Sequence, residues 1–400
     1  MSHPILADNM HCTGCMACAD TCAKKALSCI VNSEGHYTYA VDESRCVHCH
    51  KCESVCPIVS NFEYGSNELS LSQPYAAWTT IKELRESATS GGVFPAVAKW
   101  VLEQGGVVYG ARQERFYVHH ERIDMVGEIE RLQGSKYTQS KTEGIYAKVK
   151  ESLNEGKFVL FSGVGCQVAG LLSFLKGNKN LDNLFTLDLI CGGVPSSFLI
   201  DSFIDHYADT IESIESYRSK ERYEMRVRVK NGTIKTMSRE ERPLPLYGFT
   251  TGAAKRYVCY DCPFAKGHRC SDITIGDYWG NSLYPDQKKL GVSVAIVHSD
   301  KGKRLLECSE VESHEILWRD FLLNNTRMVY GHAPIPRARR KLSVTFSRST
   351  YCRLLEEFAN KSSLSRPWTM VNRLIRIVEG KILAKKRIYI VDQLLKNNGQ

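Results

Sequence analysis

Two runs of cysteines near the start of the chain have the residue type and spacing to hold iron. They are Cys12-x2-Cys15-x2-Cys18-x3-Cys22 and Cys46-x2-Cys49-x2-Cys52-x3-Cys56, the latter followed by Pro57. In bacterial ferredoxins with this spacing, three cysteines of a run ligate one [4Fe–4S] cluster and the fourth ligates the other cluster. We therefore expect one cluster on Cys12, Cys15, Cys18 and Cys56, and the second on Cys46, Cys49, Cys52 and Cys22. Structural zinc, the alternative, does not explain the doubled three-plus-one pattern.

Four more cysteines in the middle of the chain are candidates for another metal site. Cys166 and Cys191 each follow a predicted strand, and Cys259 and Cys262 form a C-x-x-C pair. Because the carboxyl ends of strands line the crevice of an open α/β sheet, these four side chains could converge there. From the residues alone, both a third cluster and buried thiols without metal stay open. Cys270 is a candidate competing ligand.

Three further segments have residues suited to contact a cofactor. They are Ser90-Gly91-Gly92 before a predicted helix, the loop Gly134-Ser135-Lys136-Tyr137-Thr138-Gln139, and Lys157–Gln167 with its Gly163 and Gln167. Glycines at a helix start expose N–H groups that can bind a phosphate. For each segment the alternative is an ordinary helix cap or a solvated turn. The sequence contains no G-x-G-x-x-G dinucleotide fingerprint and no P-loop.

Alternating hydrophobic patterns predict the elements that position these motifs. Predicted buried strands are 107–109, 158–161, 186–190, 273–275 and 292–297, and predicted helices are 93–104, 141–155, 166–175 and 197–217. This alternation predicts an α/β domain with a mainly parallel or mixed sheet. Asn231-Gly232 predicts the turn of a hairpin over 223–237. The uncharged run 158–175 is long enough to consider a membrane span, but its glycines favour a strand, a turn and a helix.

Length, cysteine usage and charge divide the chain into regions. We expect an α+β ferredoxin-like N-terminal domain at 1–60, a linker at 61–75, an α/β domain with a mixed sheet at 76–345, and a helical basic C-terminal tail at 346–400. A chain of four hundred residues is too long for one small hydrophobic core, so we expect two or three domains. Sixteen cysteines in a chain that starts without a secretory signal predict a reducing cytoplasm.

The net charge of +9 is concentrated in the tail, where fifteen Lys or Arg residues after position 336 face four acidic ones. Its two basic groups, Arg337-Ala-Arg339-Arg340-Lys341 and Lys385-Lys386-Arg387, could contact the inner surface of a membrane or a partner protein, or could be solvated helix faces. No nucleic-acid-binding module is present, so we expect no nucleic-acid partner.

Taken in order, the motifs resemble the β-subunit family of coenzyme F420-reducing hydrogenases and dehydrogenases over residues 5–345. Besides the segments above, the resemblance includes Asp188–Cys191, Cys259–Ala265 and Ser271–Gly280. It implies an α/β domain that binds FAD beside a third [4Fe–4S] cluster. Cys166, Cys191, Cys259 and Cys262 would ligate that cluster, and Ser90–Gly92 and Gly134–Gln139 would contact the flavin. Two places depart from the family pattern: Gly-Val-Gly-Cys-Gln stands for Gly-Thr-Pro-Cys-Gln at 163–167, and Cys-Gly-Gly for Cys-His-Gly at 191–193.

The resemblance implies an electron-transfer flavoenzyme. Electrons from a redox protein or ferredoxin would pass through the clusters to FAD and then to a small organic acceptor, because clusters carry one electron and hydride transfer needs two. No catalytic residue is identified, but Lys136, Asp272 and Asp277 are candidates for a general acid. The alternative is a non-catalytic subunit that passes electrons within a larger redox complex.

Overall fold

The computed structural model describes residues 3–60, 62–220, 223–237, 244–252, 254–325 and 385–399, with single residues at 328, 335, 339 and 353. The strands are β1 (Leu27–Val31), β2 (Tyr37–Val41), β3 (Gly65–Ser66), β4 (Gln73–Thr79), β5 (Val107–Glu114), β6 (Tyr117–Ile123), β7 (Ser140–Lys141), β8 (Val159–Val164), β9 (Leu184–Leu189), β10 (Ile211–Ser216), β11 (Met225–Val229), β12 (Ile234–Met237), β13 (His268–Arg269), β14 (Ile273–Asp277), β15 (Ser293–Val297) and β16 (Val311–Glu315). The helices are α1 (Ala17–Asp20), α2 (Lys51–Ser54), α3 (Lys82–Ser87), α4 (Val93–Glu103), α5 (Ile129–Leu132), α6 (Ile145–Asn154), α7 (Gly165–Phe174), α8 (Phe198–Tyr207), α9 (Leu244–Thr251), α10 (Asp300–Glu307), α11 (Trp318–Leu322) and α12 (385–397).

A nine-stranded mixed sheet forms the centre of the molecule, in the order β16-β4-β15-β14-β9-β8-β5-β6-β7. The four strands β14, β9, β8 and β5 are parallel, whereas β15, β4 and β16 add to one side as antiparallel strands, and β6 pairs antiparallel with β5. β8 and β9 are nearly continuous apolar runs, as expected for strands covered on both faces. The predicted mixed α/β sheet is confirmed.

Side chains alternate between the two faces of the sheet and so create two cores. On one face Val108, Leu160 and Phe185 pack in one core with Val97 and Val101 of α4. On the other face Val107, Tyr109, Val159 and Phe161 pack in a second core with α6 and α7. Helices therefore cover both faces of the sheet, and the carboxyl ends of β8 and β9 lie between these two helical layers.

The first sixty residues form a small unit of one β-hairpin and two one-turn helices. β1 pairs antiparallel with β2, and α1 and α2 lie within the two cysteine runs. This unit packs on the α6 and α7 side of the large domain, where Cys15, Ala17 and Val55 join the second core. The predicted α+β ferredoxin-like unit is present, and it is docked on the α/β domain.

Three segments can be compared directly with the sequence-based expectation: the first two differ from it, and the third agrees with it. In the expected linker 61–75, β3 pairs with β13 and β4 begins at Gln73, so part of this polar segment belongs to sheets. The helix expected over 197–217 ends at Tyr207, and β10 follows. Ile211 and Ile214 are three residues apart, so they also fit a helical repeat. The expected hairpin at 223–237 is confirmed.

The C-terminal region is bound to the body of the protein where it is described. Val391 and Leu395 of α12 join a core that includes Trp78 and Trp318. Arg339 is buried and its Nη2 lies 2.6 Å from Glu34 Oε2, so this member of the first basic group does not face a membrane. Lys385, Lys386 and Arg387 are exposed, whereas Arg337, Arg340 and Lys341 lie outside the described residues. In the described part of the chain no helix is both long and apolar enough to cross a membrane.

Candidate functional site

The two cysteine runs have the same backbone geometry, which brings each run around a centre. Gly14 and Met16 of the first run have φ values of 69° and 64°, and the equivalent His48 and His50 of the second have 51° and 57°. Left-handed residues are uncommon outside glycine, so their repetition at the same two positions shows a shared local structure. Each run then continues into a short helix, α1 or α2, that contains its third cysteine.

The thiols of the first predicted ligand set lie close to one another. Burial raises the pKa of the Cys15 thiol to about 12, and negative charge on Cys56 and Cys12 would raise it further. Burial likewise raises the pKa of Cys18, with smaller contributions from Cys15, Cys12 and Cys56. An isolated thiolate is therefore unfavourable here, whereas bound iron would compensate the charge of all four.

The second ligand set lies nearer to the surface. Cys52 is buried, Cys22 and Cys46 are partly buried, and Cys49 is exposed. Cys22 and Cys56, the fourth cysteines of the two runs, pack in one apolar cluster with Cys18 and Cys52. Cys56 also acts on the pKa of Cys18 of the first run. Both fourth cysteines thus lie in an apolar cluster shared by the two runs, which is compatible with the ferredoxin three-plus-one pattern.

The four central cysteines come together although they are up to 96 positions apart in the sequence. Cys166 lies in the first turn of α7, directly after β8, and Cys191 follows β9. Cys259 lies in a short 3₁₀ turn over Tyr257–Tyr260, and Cys262 comes two residues after that turn. Burial raises the pKa of Cys166, and charges on Cys262, Cys191, Cys259 and Cys15 act in the same direction. The third thiol group therefore borders the first ferredoxin set.

Cys270 does not belong to this group. Burial raises the pKa of its thiol to about 12, and its charged neighbours are Asp188, Arg269 and Asp272. The contacts of Cys270 thus give no support to its role as a replacement ligand.

A cavity of about 1190 Å³ opens at the carboxyl ends of β8 and β9. This exceeds the usual range of roughly 300–1,000 Å³ for ligand cavities. Cys166 and Cys191 line it, together with most of the residues predicted to contact flavin: Ser90, Gly92, Gly134, Ser135, Lys136, Tyr137, Gln139, Gly163 and Gln167. The structure therefore places the predicted flavin segments and part of the third thiol group around one space.

Gly91 is the predicted contact that does not line the cavity. Its N–H group donates to Ser293 Oγ at 3.0 Å, and a side-chain carbon at this position would collide with the carbonyl oxygen of Ala77. Glycine is thus needed because the loop passes close to β4 and β15. The phosphate-binding role expected of its N–H group is not available to it.

Two predicted contacts have amide side chains that already bind the protein. Gln139 Nε2 donates to the Thr13 and Gly14 carbonyl oxygens at 3.1 and 3.4 Å, which connects the cavity wall to the first cysteine run. Gln167 accepts from Val164 N at 3.1 Å and donates to Ser140 O at 3.1 Å. These residues shape the cavity wall through their amides.

The cavity wall also contains three residues that the sequence analysis did not single out, namely Arg218, Tyr223 and Phe249. Arg218 Nη1 donates to Asp277 Oδ2 at 2.6 Å, and its guanidinium lies over the Tyr223 and Trp279 rings. Tyr137 stacks on Phe249 with ring centroids 3.9 Å apart. Asp277 belongs to a recognised motif, but Arg218 follows an irregular strand and has no motif that would predict its position.

The three candidate acids have different environments. Lys136 Nζ donates to the carbonyl oxygens of Leu132 and Gln133 at 2.7 Å each, and burial lowers its pKa to about 7. Asp277 lines the cavity in its ion pair with Arg218. Asp272 lies outside the cavity lining, where its carboxylate accepts from Thr186 and Ser299 and joins strands. Lys136 and Asp277 thus stay candidates, and the contacts of Asp272 are structural.

Comparison with known proteins identifies two parts of the chain. Residues 11–59 match the model of the 4Fe-4S dicluster domain, and residues 156–317 match that of the C terminus of the coenzyme F420 hydrogenase/dehydrogenase beta subunit. No curated protein matches the chain. A chain of the F420-reducing [NiFe] hydrogenase complex from Methanosarcina barkeri, solved with xenon, is similar at 16% identity and a TM-score of 0.46, over 68% of this chain and 91% of that chain.

Both cysteine runs fall inside the first matched segment, and all four central cysteines fall inside the second. The resemblance seen in the sequence is therefore confirmed, as is the iron–sulfur character of the first sixty residues. Residues 156–317 are thus similar to the C terminus of the coenzyme F420 hydrogenase/dehydrogenase beta subunit, and they follow a 4Fe-4S dicluster domain at 11–59, which makes the chain an iron–sulfur protein with a redox role.

Proposed function

We propose that this protein is an iron–sulfur flavoprotein oxidoreductase that passes electrons from a redox protein or ferredoxin through three [4Fe–4S] clusters to FAD and on to a small organic acceptor. The observation that carries the proposal is the continuity of thiols, from exposed Cys49 to buried Cys15 and then to Cys166 in the cavity wall. The predicted ligands are the twelve cysteines named above, in three sets of four. Bound clusters would supply single-electron transfer, and a bound flavin would supply two-electron chemistry.

The contact between the two domains supports transfer between them. A side-chain carbon at Gly170 of α7 would lie 2.9 Å from Cys15 Sγ, so the helix that carries Cys166 in its first turn packs against a thiol of the first run. Thr142 Oγ1 also donates to Cys15 O at 2.9 Å. Glycine at 170 thus allows the first ferredoxin set and the third thiol group to lie side by side.

The cavity has the shape and chemistry to hold FAD. Its Tyr137 and Phe249 rings offer an aromatic wall, and Lys136, Arg218 and Lys255 supply positive charge for an anionic cofactor. The amino end of α4 also faces it, and such helix ends favour phosphate groups. These features support the predicted flavin contacts at Ser90, Gly92 and the Gly134–Gln139 loop.

Lys136 is the side chain best placed to exchange a proton inside this cavity. Its pKa of about 7 lets the Nζ atom hold or release a proton near neutral pH. The two carbonyl oxygens that accept from Nζ keep it oriented. Asp277 is held in an ion pair with Arg218, so we assign it to positioning Arg218.

The second candidate function is a non-catalytic electron-transfer subunit of a larger redox complex. It is favoured by the matched family description, which names a β subunit, and by the exposure of Cys49 at a surface where a partner can approach. In that case the cavity would transfer no electrons to a free acceptor. Reduction of a panel of organic acceptors, including a deazaflavin, by the isolated chain distinguishes the two candidates.

Analysis of the anaerobically purified full chain tests the proposal. We expect about twelve irons and twelve acid-labile sulfides per chain, from three cubanes, and one FAD. Cys166→Ser should remove about four irons, whereas the matched control Cys270→Ser should remove none. A preparation with zinc instead of iron, or with clusters but no flavin, would contradict the proposed flavoprotein.

A further inference from the structure

Arg256 is a fully buried cation that joins the first cysteine run to the third thiol group. Its side chain is 1% exposed. Nη1 donates to Cys12 O at 2.8 Å, and Nη2 donates to Tyr37 O at 2.6 Å and to Gln139 Oε1 at 2.7 Å. Three acceptors on two domains thus hold one guanidinium.

The backbone of Arg256 is fixed in the loops that carry the third thiol group. Its N–H group donates to Val194 O at 2.8 Å, three residues after Cys191, and its carbonyl oxygen accepts from Cys259 N at 3.0 Å. The side chain then extends to the first run, where a side-chain carbon at Gly14 would lie 2.8 Å from Nη2. Gly14 therefore leaves the space that the guanidinium fills.

The charge of Arg256 has no carboxylate partner among the described residues. Its hydrogen bonds go to carbonyl and amide oxygens, and its Nε atom is buried without an acceptor. A buried cation without an anion costs several kcal/mol unless other negative charge compensates it. Ligand thiolates could supply that charge, because the side chain of Arg256 donates to the carbonyl oxygen of Cys12 and its own carbonyl oxygen accepts from Cys259 N, and both cysteines are predicted ligands.

We infer that Arg256 is a positioning residue that raises the reduction potentials of the first and third clusters together. The inference rests on the proposed function, because it needs both clusters. An added electron makes a cluster more negative, and a fixed cation nearby stabilises that state. The second cluster has no ligand in contact with Arg256 among the described residues, so it serves as a reference inside the same molecule.

Potentiometric titration followed by electron paramagnetic resonance of the full chain tests this inference. Arg256→Gln removes the charge, and we expect the reduced-to-oxidised ratio of the first and third clusters to fall about tenfold at the wild-type midpoint, or about 59 mV. The second cluster should change less than about twofold. Arg256→Lys keeps the charge and should stay within about threefold of wild type at all three clusters.

Arg85→Gln is the matched control. Arg85 is also buried, and its Nε donates to Leu290 O at 3.1 Å, away from all three cysteine sets. Its replacement should lower stability but leave all three potentials unchanged. If Arg256→Gln fails to load clusters, Arg256→Lys decides the question: three clusters at wild-type potentials support the inference, and loss of loading or a tenfold shift overturns it.

The measurements distinguish failure of the proposed function from failure of the inference about Arg256. A wild-type chain without three clusters would refute the proposed function itself. Three clusters whose potentials do not respond to Arg256→Gln, or which all shift equally, would overturn the role of Arg256 and leave the proposed function intact.

Discussion

The two cysteine runs share spacing and backbone geometry but have opposite surroundings. In the first run Cys15 and Cys18 are buried, and Gly14 faces Arg256 and Gln139 of the large domain. In the second run Cys49 is exposed, and Val47 is 52% exposed beside it. The same ligand motif thus serves an internal contact in one copy and a surface in the other. A redox partner would approach the second run, and the first run connects to the cavity.

The largest difference between the two runs should appear when alanine replaces the residue at the equivalent position of each run, Gly14 in the first and His48 in the second. At Gly14 a side-chain carbon would meet Tyr37 O and Arg256 Nη2, and the residue has a left-handed φ of 69°. We expect Gly14→Ala to lower the free energy of unfolding by about 2–4 kcal/mol and to displace the first run from the large domain. The equivalent His48→Ala should cost less than about 1 kcal/mol. Chemical denaturation measures both, and equal costs would contradict the asymmetry.

The two clusters of the ferredoxin unit should differ in their loss to solvent. Because Cys49 is exposed while Cys15 and Cys18 are buried, oxidants and chelators reach the second cluster first. We expect iron from the second set to be lost about tenfold faster than iron from the first in the presence of a chelator and oxygen. Time-resolved electron paramagnetic resonance with Cys46→Ser as reference follows this loss. Loss of iron from both sets at the same rate would show that the two clusters are equally accessible to solvent, and it would contradict this prediction.

The smallest effect concerns Asp20, which connects the first run to α6. Its carboxylate accepts from Gly144 N at 2.6 Å and from Tyr146 N at 2.9 Å at the start of that helix. Asp20→Ala should cost about 1 kcal/mol at pH 7, as for other caps. In the second run, Glu53→Ala should cost less, about 0.5 kcal/mol, because the Glu53 side chain is partly exposed and pairs with the partly exposed His50. Unfolding at fixed cluster content measures both variants.

The contribution of Asp20 to the free energy of unfolding should change with pH in a direction that its raised pKa determines. Burial raises its pKa to about 6 in the folded protein, above the value of about 3.9 in an unfolded chain. Between these values the folded state binds more protons, so lowering the pH from about 7 to about 4 stabilises wild type relative to Asp20→Asn. A stability difference that is independent of pH, or that falls toward acid, would contradict the raised pKa.

The sequence predicted what depends on local spacing, and it missed what depends on distant contacts. The ferredoxin runs, the apolar strands β8 and β9, and the Asn231-Gly232 hairpin are all encoded within a few residues. β16 at one edge of the sheet, and β6 next to the short edge strand β7, carry charged residues and show no clear alternation, and β10 mimics a helical repeat.

The same difference applies to the candidate site. The sequence motifs named the cysteines and loops that the structure gathers around the cavity. Arg218 and Arg256 escaped notice because each acts through partners far away in sequence: Asp277 is 59 positions from Arg218, and Cys12 is 244 positions from Arg256. A single arginine outside any motif gives no pattern that predicts such contacts.

Stopped-flow reduction of the flavin-loaded chain by a one-electron donor tests the central account most directly. In Cys166→Ser, we predict that the two ferredoxin clusters are reduced at the wild-type rate while flavin reduction slows at least about a hundredfold, because the thiol group next to Cys15 has lost its cluster. Flavin reduction at the wild-type rate in that variant would show that electrons do not follow the thiols into the cavity.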